Sequence, residues 1–497
     1  MKRFFCLLTA LLLMLPLLPA LAEPGVYNWY EVVVRSFQDS DGDGIGDLQG
    51  LIARLDYIQG MGYEGLWLMP VMPSPSYHKY DVTDYRNIDP EYGTMEDMRQ
   101  LVAAMHERGM RLIIDLPINH TSTQHPWFQA ACEALKNGED SPYIAYYHFT
   151  RDDKGVPLGD TGWYYEEQFS GGGMPDLALE NPDVAEEIRA ILAFWLTDVG
   201  VDGFRLDAVT SFFTGDVDKN VEFLAQLNGM CQEIKPGCYL VGECWAGLTV
   251  IAQYYERGVD SFFLFPASQA EGFIATSFRG RGSTHAEKFA KAYQNVLDAI
   301  PSGTLAPFLS NHDTGRTIGS VQGRSNLPLA KFAEGVLNMM QGCVFTYYGE
   351  EIGMVGSGDD PNKRLAMYWS DGDITDQPPG VTMLEYAYPS VEEQMADPDS
   401  LLNYCKMVSN ARKQVPAIAR GTNEFVLAEG ELCLMRRTLE GESWLIAMNC
   451  SAKDTLDCTL PGRAELLFDL ETGDETAALS GDTLTLPPYA IVILQEK

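Results

Sequence analysis

The chain has 497 residues, 46% of them hydrophobic, which is enough for one large domain and a smaller one. Its 70 acidic and 35 basic residues give a formal net charge of −35, which repels nucleic acid and anionic lipid. We therefore expect neither as a partner, and the charge is compatible with a neutral substrate.

The N-terminus has the pattern of a secretory signal. Two basic residues, Lys2 and Arg3, precede an apolar run over residues 4–18. The small-x-small sequence Ala20-Leu21-Ala22 follows as a cleavage site. No stop-transfer pattern comes after it, and no later apolar run is long enough to span a bilayer. We expect residues 1–22 to be a signal peptide and the mature chain, starting near Glu23, to be secreted and extracellular without membrane insertion.

The cysteines do not form a complete disulfide framework. Ten are present including Cys6, so nine remain after cleavage, an odd number. Cys231 with Cys238 and Cys450 with Cys458 are close enough in sequence to pair, but free buried thiols are an equal alternative.

Beyond the signal, short β-rich runs alternate with longer helical patterns. We predict eight strands, at 30–37, 65–70, 111–120, 202–209, 238–245, 260–266, 305–312 and 344–348. Predicted helices at 51–60, 94–109, 182–199, 220–234, 285–300 and 329–341 lie between them. About eight βα units result, the number that a (β/α)₈ TIM barrel needs. The predicted barrel comprises residues 23–120 and 183–415.

Two regions depart from this alternation. Residues 121–182 are rich in Gly, Tyr, Asp and His without a clean helical period, which predicts a functional subdomain inserted after the third strand. From residue 416, alternating runs at 424–428, 432–437, 444–449, 483–486 and 490–494 are separated by Gly, Asn and Asp. Residues 416–497 are therefore predicted to form a small antiparallel β domain.

Four segments run from an apolar strand directly into ionisable residues; they are 115–120, 203–208, 241–245 and 308–313. Because barrel enzymes build active sites at the C-terminal ends of strands, Asp207, Glu243 and Asp313 should converge there. Carboxylates packed together cannot all ionise at neutral pH, so the pKa of one is raised. Retaining glycosidases use such an arrangement, with one carboxylate attacking and a protonated one donating.

Arg205 supports this assignment of charges. It lies two residues before Asp207 and points to the same side of the strand, so its charge would keep Asp207 ionised. A single strand-end Asp is more often a helix cap or a loop ligand, but four such segments in order favour an active site.

The four segments, their order and their spacing resemble the α-amylase family of retaining glycoside hydrolases, and the resemblance covers residues 26–497. It implies that Asp207 is the nucleophile, Glu243 the general acid/base and Asp313 the transition-state stabiliser. It also implies a TIM barrel, a subdomain after the third strand and a C-terminal β-sandwich domain.

The same resemblance implies further substrate contacts. Arg205, His120 and His312 would hydrogen-bond the sugar at the cleavage point. Tyr80, in the run Tyr77-His78-Lys79-Tyr80-Asp81, would be the stacking tyrosine, with His78 beside it. Asp115 would brace its strand rather than contact sugar.

An acidic loop near the N-terminus is a candidate calcium site. Residues 39–47 place carboxylates at alternate positions with a turn glycine, like the start of an EF-hand loop. Gly50 stands where that loop needs its bidentate Glu, so the expected ligands of a structural Ca²⁺ are Asp39, Asp41, Asp43, the carbonyl of Ile45, and Asp47. The alternative is a solvated acidic turn. Several members of the family carry this loop at the same place.

Three local features bear on specificity. Ala208, after the nucleophile, resembles enzymes that prefer α-1,4 bonds, and Tyr77 resembles endo-acting amylases. The run 174–177 (Met-Pro-Asp-Leu) resembles a group intermediate between oligo-1,6-glucosidases and neopullulanases.

Other positions differ from the family pattern. Thr210 and Ser211 replace a common Lys-His pair, which puts in doubt a leaving-group contact and the second family calcium site that uses Asn119. Lys79 replaces a common Gly, which predicts a narrower cleft.

We therefore predict a monomeric, secreted α-amylase that hydrolyses internal α-1,4 bonds of starch-like α-glucans through a covalent intermediate. One alternative is a neopullulanase-like or α-glucosidase-type enzyme that acts on short malto-oligosaccharides, with transglycosylation. The other is a non-catalytic carbohydrate-binding protein on the same barrel, although such proteins usually lose a catalytic carboxylate and this chain keeps all three.

Overall fold

The computed structural model describes residues 25–169, 171–280, 282–386 and 388–497. The predicted signal peptide, residues 1–22, lies outside them. Among the described helices, none has both the length and the apolar character to cross a membrane.

Eight short parallel strands form the central sheet. In chain order they are Asn28–Val32, Gly65–Leu68, Arg111–Leu116, Gly203–Leu206, Tyr239–Gly242, Ser261–Phe263, Thr304–Ala306 and Val344–Tyr347. The first strand pairs with both the second and the eighth, and the second to sixth strands each pair with the strand that follows. A parallel bridge between Phe308 and Phe345 joins the seventh strand region to the eighth and closes the ring. The predicted TIM barrel is confirmed.

Side-chain alternation along the strands separates the barrel interior from its outer wall. Trp29 packs inside, stacked against Tyr239 at 5.3 Å and Phe345 at 5.8 Å between ring centroids. Tyr30 and its outward-facing counterparts pack beneath the helices in a second, larger core. The interior is thus filled by side chains, and a substrate cavity must lie outside it.

Helices surround the sheet. The α-helices of the barrel region are Leu48–Ala53, Leu55–Gly60, Met95–Glu107, Pro182–Ala193, Val217–Ile234, Leu248–Tyr254, Phe273–Phe278, His285–Ala299, Thr317–Ser320, Leu327–Asn338, Asp360–Lys363, Val391–Ala396, Leu401–Gln414 and Ala417–Arg420. Helix Pro182–Ala193 continues as a π-helix over Phe194–Val199. The helix predicted at 51–60 begins three residues earlier, because Asp47 caps it, and is interrupted at Arg54.

All eight predicted barrel strands extend past the C-terminal ends of the strands in the structure. Those at 30–37, 111–120, 202–209 and 305–312 end in the structure at Val32, Leu116, Leu206 and Ala306. The residues that follow remain buried, including Ile118 and Val209, so the hydrophobic run continues although the strand hydrogen bonds have ended. These buried loops carry the polar residues singled out in the sequence.

The inserted segment contains regular structure that its composition did not suggest. It has a helix at Pro126–Asn137, a 3₁₀ helix at Pro142–Tyr146, and a sheet of the short strands Phe149–Thr150, Val156–Pro157 and Tyr164–Tyr165. The sequence showed no clean helical period here, so this helix was not predicted. His125 caps the first helix, Pro126 opens it and Gly138 ends it in the left-handed conformation.

The C-terminal residues form two antiparallel sheets. Five strands, in the spatial order Thr422–Glu429, Leu432–Leu439, Glu442–Asn449, Ile491–Glu496 and Ala464–Leu470, form one sheet. Leu456–Thr459, Thr483–Leu486 and Ala478–Ser480 form the other. Leu445 and Leu484 are among the side chains of the apolar core that these strands share. Three of the eight strands had no clear alternating pattern and were not predicted.

The cysteine alternatives resolve in favour of thiols. All nine cysteines of the described chain, from Cys132 to Cys458, are buried and free. Neither Cys231 with Cys238 nor Cys450 with Cys458 forms a disulfide.

Candidate active site

A cavity of about 470 Å³ opens at the C-terminal ends of the barrel strands. Six predicted site residues line it: His78, Tyr80, His120, Asp207, Glu243 and Asp313. The other lining residues are Phe169 and Met174 from the inserted segment, Trp245 after the fifth strand, and Asp360, Lys363 and Arg364 after the eighth. The structure therefore brings together the three predicted carboxylates from three different strands.

Arg205 holds the acidic residues together from below. It projects from the fourth strand into the barrel interior and is fully buried. One guanidinium nitrogen, Nη1, donates to Asp207 and to Asp115 Oδ1 (2.9 Å), and the other, Nη2, lies 3.0 Å from Glu243 Oε2. Because one guanidinium contacts both Asp207 and Glu243, the two carboxyl groups lie close to each other.

The backbone after Asp207 also connects these two acids. Ala208 adopts a left-handed conformation with φ of 46°, which is uncommon for a residue with a side chain. This turn directs the Ala208 N–H to Glu243 Oε2 at 2.9 Å. Oε2 is thus occupied by Arg205 and Ala208, which leaves Oε1 of Glu243 to carry a proton.

Glu243 is the acid that keeps its proton. Burial raises its pKa to about 8, and the nearby carboxylates of Asp207 and Asp313 act in the same direction against the charge of Arg205. At neutral pH the group is therefore a proton donor that faces the cavity.

Asp313 has the opposite environment. His312 Nε2 lies 3.0 Å from its Oδ2, and Arg364 Nη2 donates to Oδ1 at 2.8 Å. Burial alone would raise the pKa of Asp313, but these two cations outweigh burial and hold the pKa far below its usual value. Asp313 is an anion throughout the neutral range.

His312 lies behind the cavity wall and is completely buried. Its Nε2 is 2.7 Å from the Tyr80 hydroxyl, which donates a hydrogen bond to Asp115 Oδ2 at 3.0 Å. Neither His312 nor Arg205 is among the lining residues. Their hydrogen bonds to sugar stay a prediction, whereas their contacts with the lining groups Asp313, Tyr80, Asp207 and Glu243 are direct.

Two further histidines do face the cavity. His120 is buried, and its Nε2 has no hydrogen-bond partner among the described residues, so it is available to a ligand. Burial lowers the pKa of His120, which keeps the ring neutral. His78 accepts the backbone N–H of Tyr80 at 3.2 Å, and this contact fixes the loop that carries the tyrosine.

One departure from the family pattern has a structural explanation. Lys79 adopts φ of 65°, the conformation a glycine takes readily, and its Nζ turns away to Asp89 (2.8 Å) and Glu91 (2.7 Å). It does not line the cavity, so the predicted narrowing was wrong. Asn119 donates to Asp176 at 3.1 Å through its Nδ2, and this contact leaves free the Oδ1 that a calcium ion would bind.

The sequence reasoning missed several residues of the site. Glu31, on the first strand, accepts from His312 Nδ1 at 2.6 Å; a lone acidic residue within a buried apolar strand was the available signal. Lys363 ends the short helix Asp360–Lys363 and Arg364 follows it, in the connection after the eighth strand, where no periodic pattern marks a functional residue. Trp245 lies two positions after Glu243. Its side chain is half exposed, and its ring stacks on that of Phe265 with 4.8 Å between the centroids.

The acidic loop brings three of its predicted ligands together. One side-chain oxygen from each of Asp39, Asp41 and Asp43 lies within 4.8 Å of the other two. Asp47 is used differently: it accepts from Ser40 and from the Gly50 N–H at the start of the helix Leu48–Ala53. The three-carboxylate cluster suits a hard cation such as Ca²⁺.

Comparison with known proteins gives a consistent result. The sequence profile of the family described as "Alpha amylase, catalytic domain" matches residues 31–421. The chain is 36% identical over 465 residues to Alpha-amylase 3 of Dictyoglomus thermophilum, a match that covers 90% of each chain. It is 30% identical over 515 residues to the oligo-1,6-glucosidase of Parageobacillus thermoglucosidasius, which covers 85% of this chain and 90% of that protein.

Solved structures agree with these relatives. Eubacterium rectale Amy13B superimposes with a TM-score of 0.92 at 40% identity and covers 96% of this chain and 97% of its own. The α-amylase from H. orenii gives a TM-score of 0.84 at 36% identity, with 95% of this chain and 100% of that chain covered.

Proposed function

The chain belongs to the α-amylase family of glycoside hydrolases, and on that premise we propose that it cleaves internal α-1,4-glucosidic bonds of starch-like glucans with retention of configuration. The cavity supports this because Asp207, Glu243 and Asp313 all line it. The observation that carries the proposal is the shared contact of Asp207 and Glu243 with the Arg205 guanidinium. A retaining mechanism needs one carboxylate to attack and a second carboxyl group to donate a proton in the same cavity, and Asp207 and Glu243 both line it.

The chemistry follows from the protonation of each group. The Asp207 carboxylate attacks the anomeric carbon while Glu243 transfers its proton to the leaving glycosidic oxygen, so the bond to that oxygen breaks as the bond to Asp207 forms. Glu243, now ionised, then removes a proton from a water that attacks the same carbon and releases Asp207. Asp313, held as an anion, stabilises the positive charge that develops on the sugar in the transition state.

The cavity wall offers suitable contacts for the sugar chain. Tyr80 and Trp245 present aromatic surfaces, and His120 Nε2 and His78 are polar groups beside them. Flat aromatic rings pack against the apolar faces of sugars, while neutral polar groups accept or donate to hydroxyls. The half-exposed Trp245 stands beside the acid Glu243, where the leaving part of the substrate would lie.

A second candidate activity is the cleavage of short malto-oligosaccharides, with transglycosylation. The 30% identity to an oligo-1,6-glucosidase supports this second candidate, because the name of that relative indicates action on oligosaccharides.

We propose that the cluster of Asp39, Asp41 and Asp43 binds a structural Ca²⁺. Slight burial would raise the pKa of Asp39, but hydrogen bonds from the backbone N–H groups of Gly42 and Gly44 have the larger effect and lower it. The Asp39 carboxylate is therefore ionised and able to bind a cation. Gly44 also accepts a backbone hydrogen bond from Asp376 at 2.7 Å, so an ordered loop would secure the segment after the eighth strand. The ion would act on stability and not on the reaction.

We also propose that the enzyme is exported. The support is the charged start, the apolar run over residues 4–18 and the small-x-small sequence Ala20-Leu21-Ala22. N-terminal sequencing of the protein recovered from the culture medium should give Glu23, and a start at Met1 would contradict cleavage.

Product analysis separates the two candidate activities. An enzyme that cleaves internal α-1,4 bonds should release malto-oligosaccharides of several lengths from amylose and lower its viscosity early, and it should leave isomaltose intact. Predominant release of glucose from maltotriose and isomaltose, with little action on amylose, would instead establish the oligosaccharide activity.

Neutral variants of the two central acids should abolish turnover. We expect Asp207→Asn and Glu243→Gln to lower kcat on amylose by about 10⁴-fold or more, because one loses the nucleophile and the other the proton donor. Asp482→Asn and Glu442→Gln, at exposed positions of the C-terminal domain, are the matched controls and should keep full activity. A folded Asp207→Asn enzyme with near-normal kcat would contradict the assignment.

The pH profile should report the proton on Glu243. Because that proton is required and is lost above its pKa of about 8, kcat/KM for starch should fall as the pH rises through about 8. A malto-oligosaccharyl fluoride, whose leaving group needs little protonation, should remain a good substrate to higher pH. Identical alkaline limbs for the two substrates would exclude Glu243 as the acid.

Removal of calcium should lower thermal stability. A ligand present at one hundred times its Kd stabilises the folded state by about 2.7 kcal/mol, so chelation should lower Tm by several degrees. Asp41→Asn should have a low Tm that no longer responds to calcium, while Asp482→Asn should respond like the unaltered chain. An unaltered protein whose Tm ignores both calcium and chelator would show that the loop is only a solvated turn.

A further inference from the structure

Glu31 is a buried carboxylate that the proposed mechanism does not use. It lies on the first strand, Asn28–Val32, and is 1% exposed. Along this strand Trp29 and Glu31 point to the barrel interior, while Tyr30 and Val32 face the helices. A charge placed inside a barrel core is costly unless a partner compensates it, so its presence calls for a specific contact.

That contact is His312. Oε1 of Glu31 lies 2.6 Å from His312 Nδ1 and also 3.4 Å from the His312 backbone nitrogen. The other ring nitrogen, Nε2, faces Asp313 Oδ2 at 3.0 Å and the Tyr80 hydroxyl at 2.7 Å. The imidazole therefore connects a carboxylate in the core to two side chains that line the cavity.

We propose that Glu31 is a positioning residue that keeps His312 doubly protonated and correctly oriented, so that His312 presents an N–H donor to Asp313. The inference rests on the proposed role of Asp313 as the anion that faces the developing sugar cation. Glu31 itself does not line the cavity and would act only through the imidazole.

The charges around His312 make its protonation depend on two carboxylates. Burial alone would lower the pKa of His312, but Asp313 and Glu31 outweigh it and raise the pKa to about 9. The other polar or charged groups near this pair are Tyr80, Asp115, Arg205 and Arg364, whose Nε donates to the His312 carbonyl at 3.1 Å. Asp313 also binds Arg364, so Glu31 is the counter-ion that His312 does not share with that arginine.

The state of Nε2 decides what Asp313 experiences. In the imidazolium both nitrogens carry hydrogen. Nδ1 then donates to Glu31, and the Nε2 hydrogen lies between the Tyr80 hydroxyl at 2.7 Å and Asp313 Oδ2 at 3.0 Å, next to which the ring carries a positive charge. In the neutral ring with hydrogen on Nδ1, Nε2 presents a lone pair to a carboxylate oxygen 3.0 Å away, which is repulsive. Loss of the second proton would therefore displace Asp313 or raise its pKa, at the point where the reaction needs an anion.

The substitution Glu31→Gln removes the charge but retains a side-chain oxygen that can accept from Nδ1. We expect kcat/KM for a malto-oligosaccharyl fluoride at pH 7 to fall roughly tenfold, equivalent to about 1.4 kcal/mol, mainly in kcat. The alkaline limb, which His312 should govern with this substrate, should move from about pH 9 to lower pH. The fluoride is chosen because its departure needs little help from Glu243.

Glu351→Gln is the matched control. Glu351 is also a fully buried glutamate, and it accepts hydrogen bonds from the hydroxyls of Tyr30 and Tyr57 (2.8 Å for Tyr57) on the outer side of the barrel. This variant removes a buried charge without touching His312, so it should change stability but leave the alkaline limb in place. An equal shift of the limb in both variants, or no shift in Glu31→Gln, would overturn the proposal.

A direct titration makes the test independent of activity. In an NMR titration of the unaltered protein with carbon-13 in its histidine rings, the His312 resonance is the one that His312→Asn removes. It should titrate near pH 9, and a midpoint at or below 6.5 would refute the role of Glu31. The proposed function fails separately, if Asp207→Asn still hydrolyses the fluoride, whatever the titration of His312 shows.

Discussion

The site depends on one fixed positive charge, the guanidinium of Arg205, placed without solvent access inside the barrel. Burying an arginine costs several kcal/mol unless its charge and its hydrogens are compensated. Asp115, Asp207 and Glu243 supply this compensation, and each of these acids would in turn be unfavourable without the arginine. The arginine and the three acids are therefore a single electrostatic unit, and no member of it has an independent role.

Within this unit, neighbours rather than residue type decide which acid keeps a proton. Glu243 is buried beside two other carboxylates and shares its one cation with them, so its pKa rises to about 8. Burial also acts to raise the pKa of Asp313, whose side chain is 25% exposed, but His312 and Arg364 contact it directly and its pKa falls. Two carboxyl groups in one cavity thus take opposite charge states, which is the division of labour that acid and electrostatic stabiliser require.

The sequence was sufficient for the parts of the molecule that repeat or that combine pattern with chemistry. Eight βα units predicted the barrel, and the four polar strand ends predicted Asp207, Glu243 and Asp313 because apolar strands rarely end in acids without a reason. It was insufficient where a residue acts through distant partners. Arg364 contacts Asp313, which lies 51 positions earlier in the chain, from a segment without periodicity. Glu31 pairs with His312, which lies 281 positions later, so the role of its charge can be recognised only in the structure.

The alternation that builds the barrel core also produces the site. On the third strand Ile113 packs inside and Asp115 follows two residues later; on the fifth, Val241 precedes Glu243 in the same way. On the fourth strand the inward position below Arg205 is Gly203, where a Cβ would lie 1.8 Å from the Tyr239 carbonyl oxygen.

The barrel interior therefore changes from tightly packed apolar side chains to a charged layer within one pleat of each strand. Because successive inward positions are fixed by the same backbone, a shift in strand register that moved the core would move every reacting group as well. The rigidity that orients Asp207, Glu243 and the residues behind them is thus the packing of the core itself, and Glu31, one pleat above Trp29, belongs to both layers.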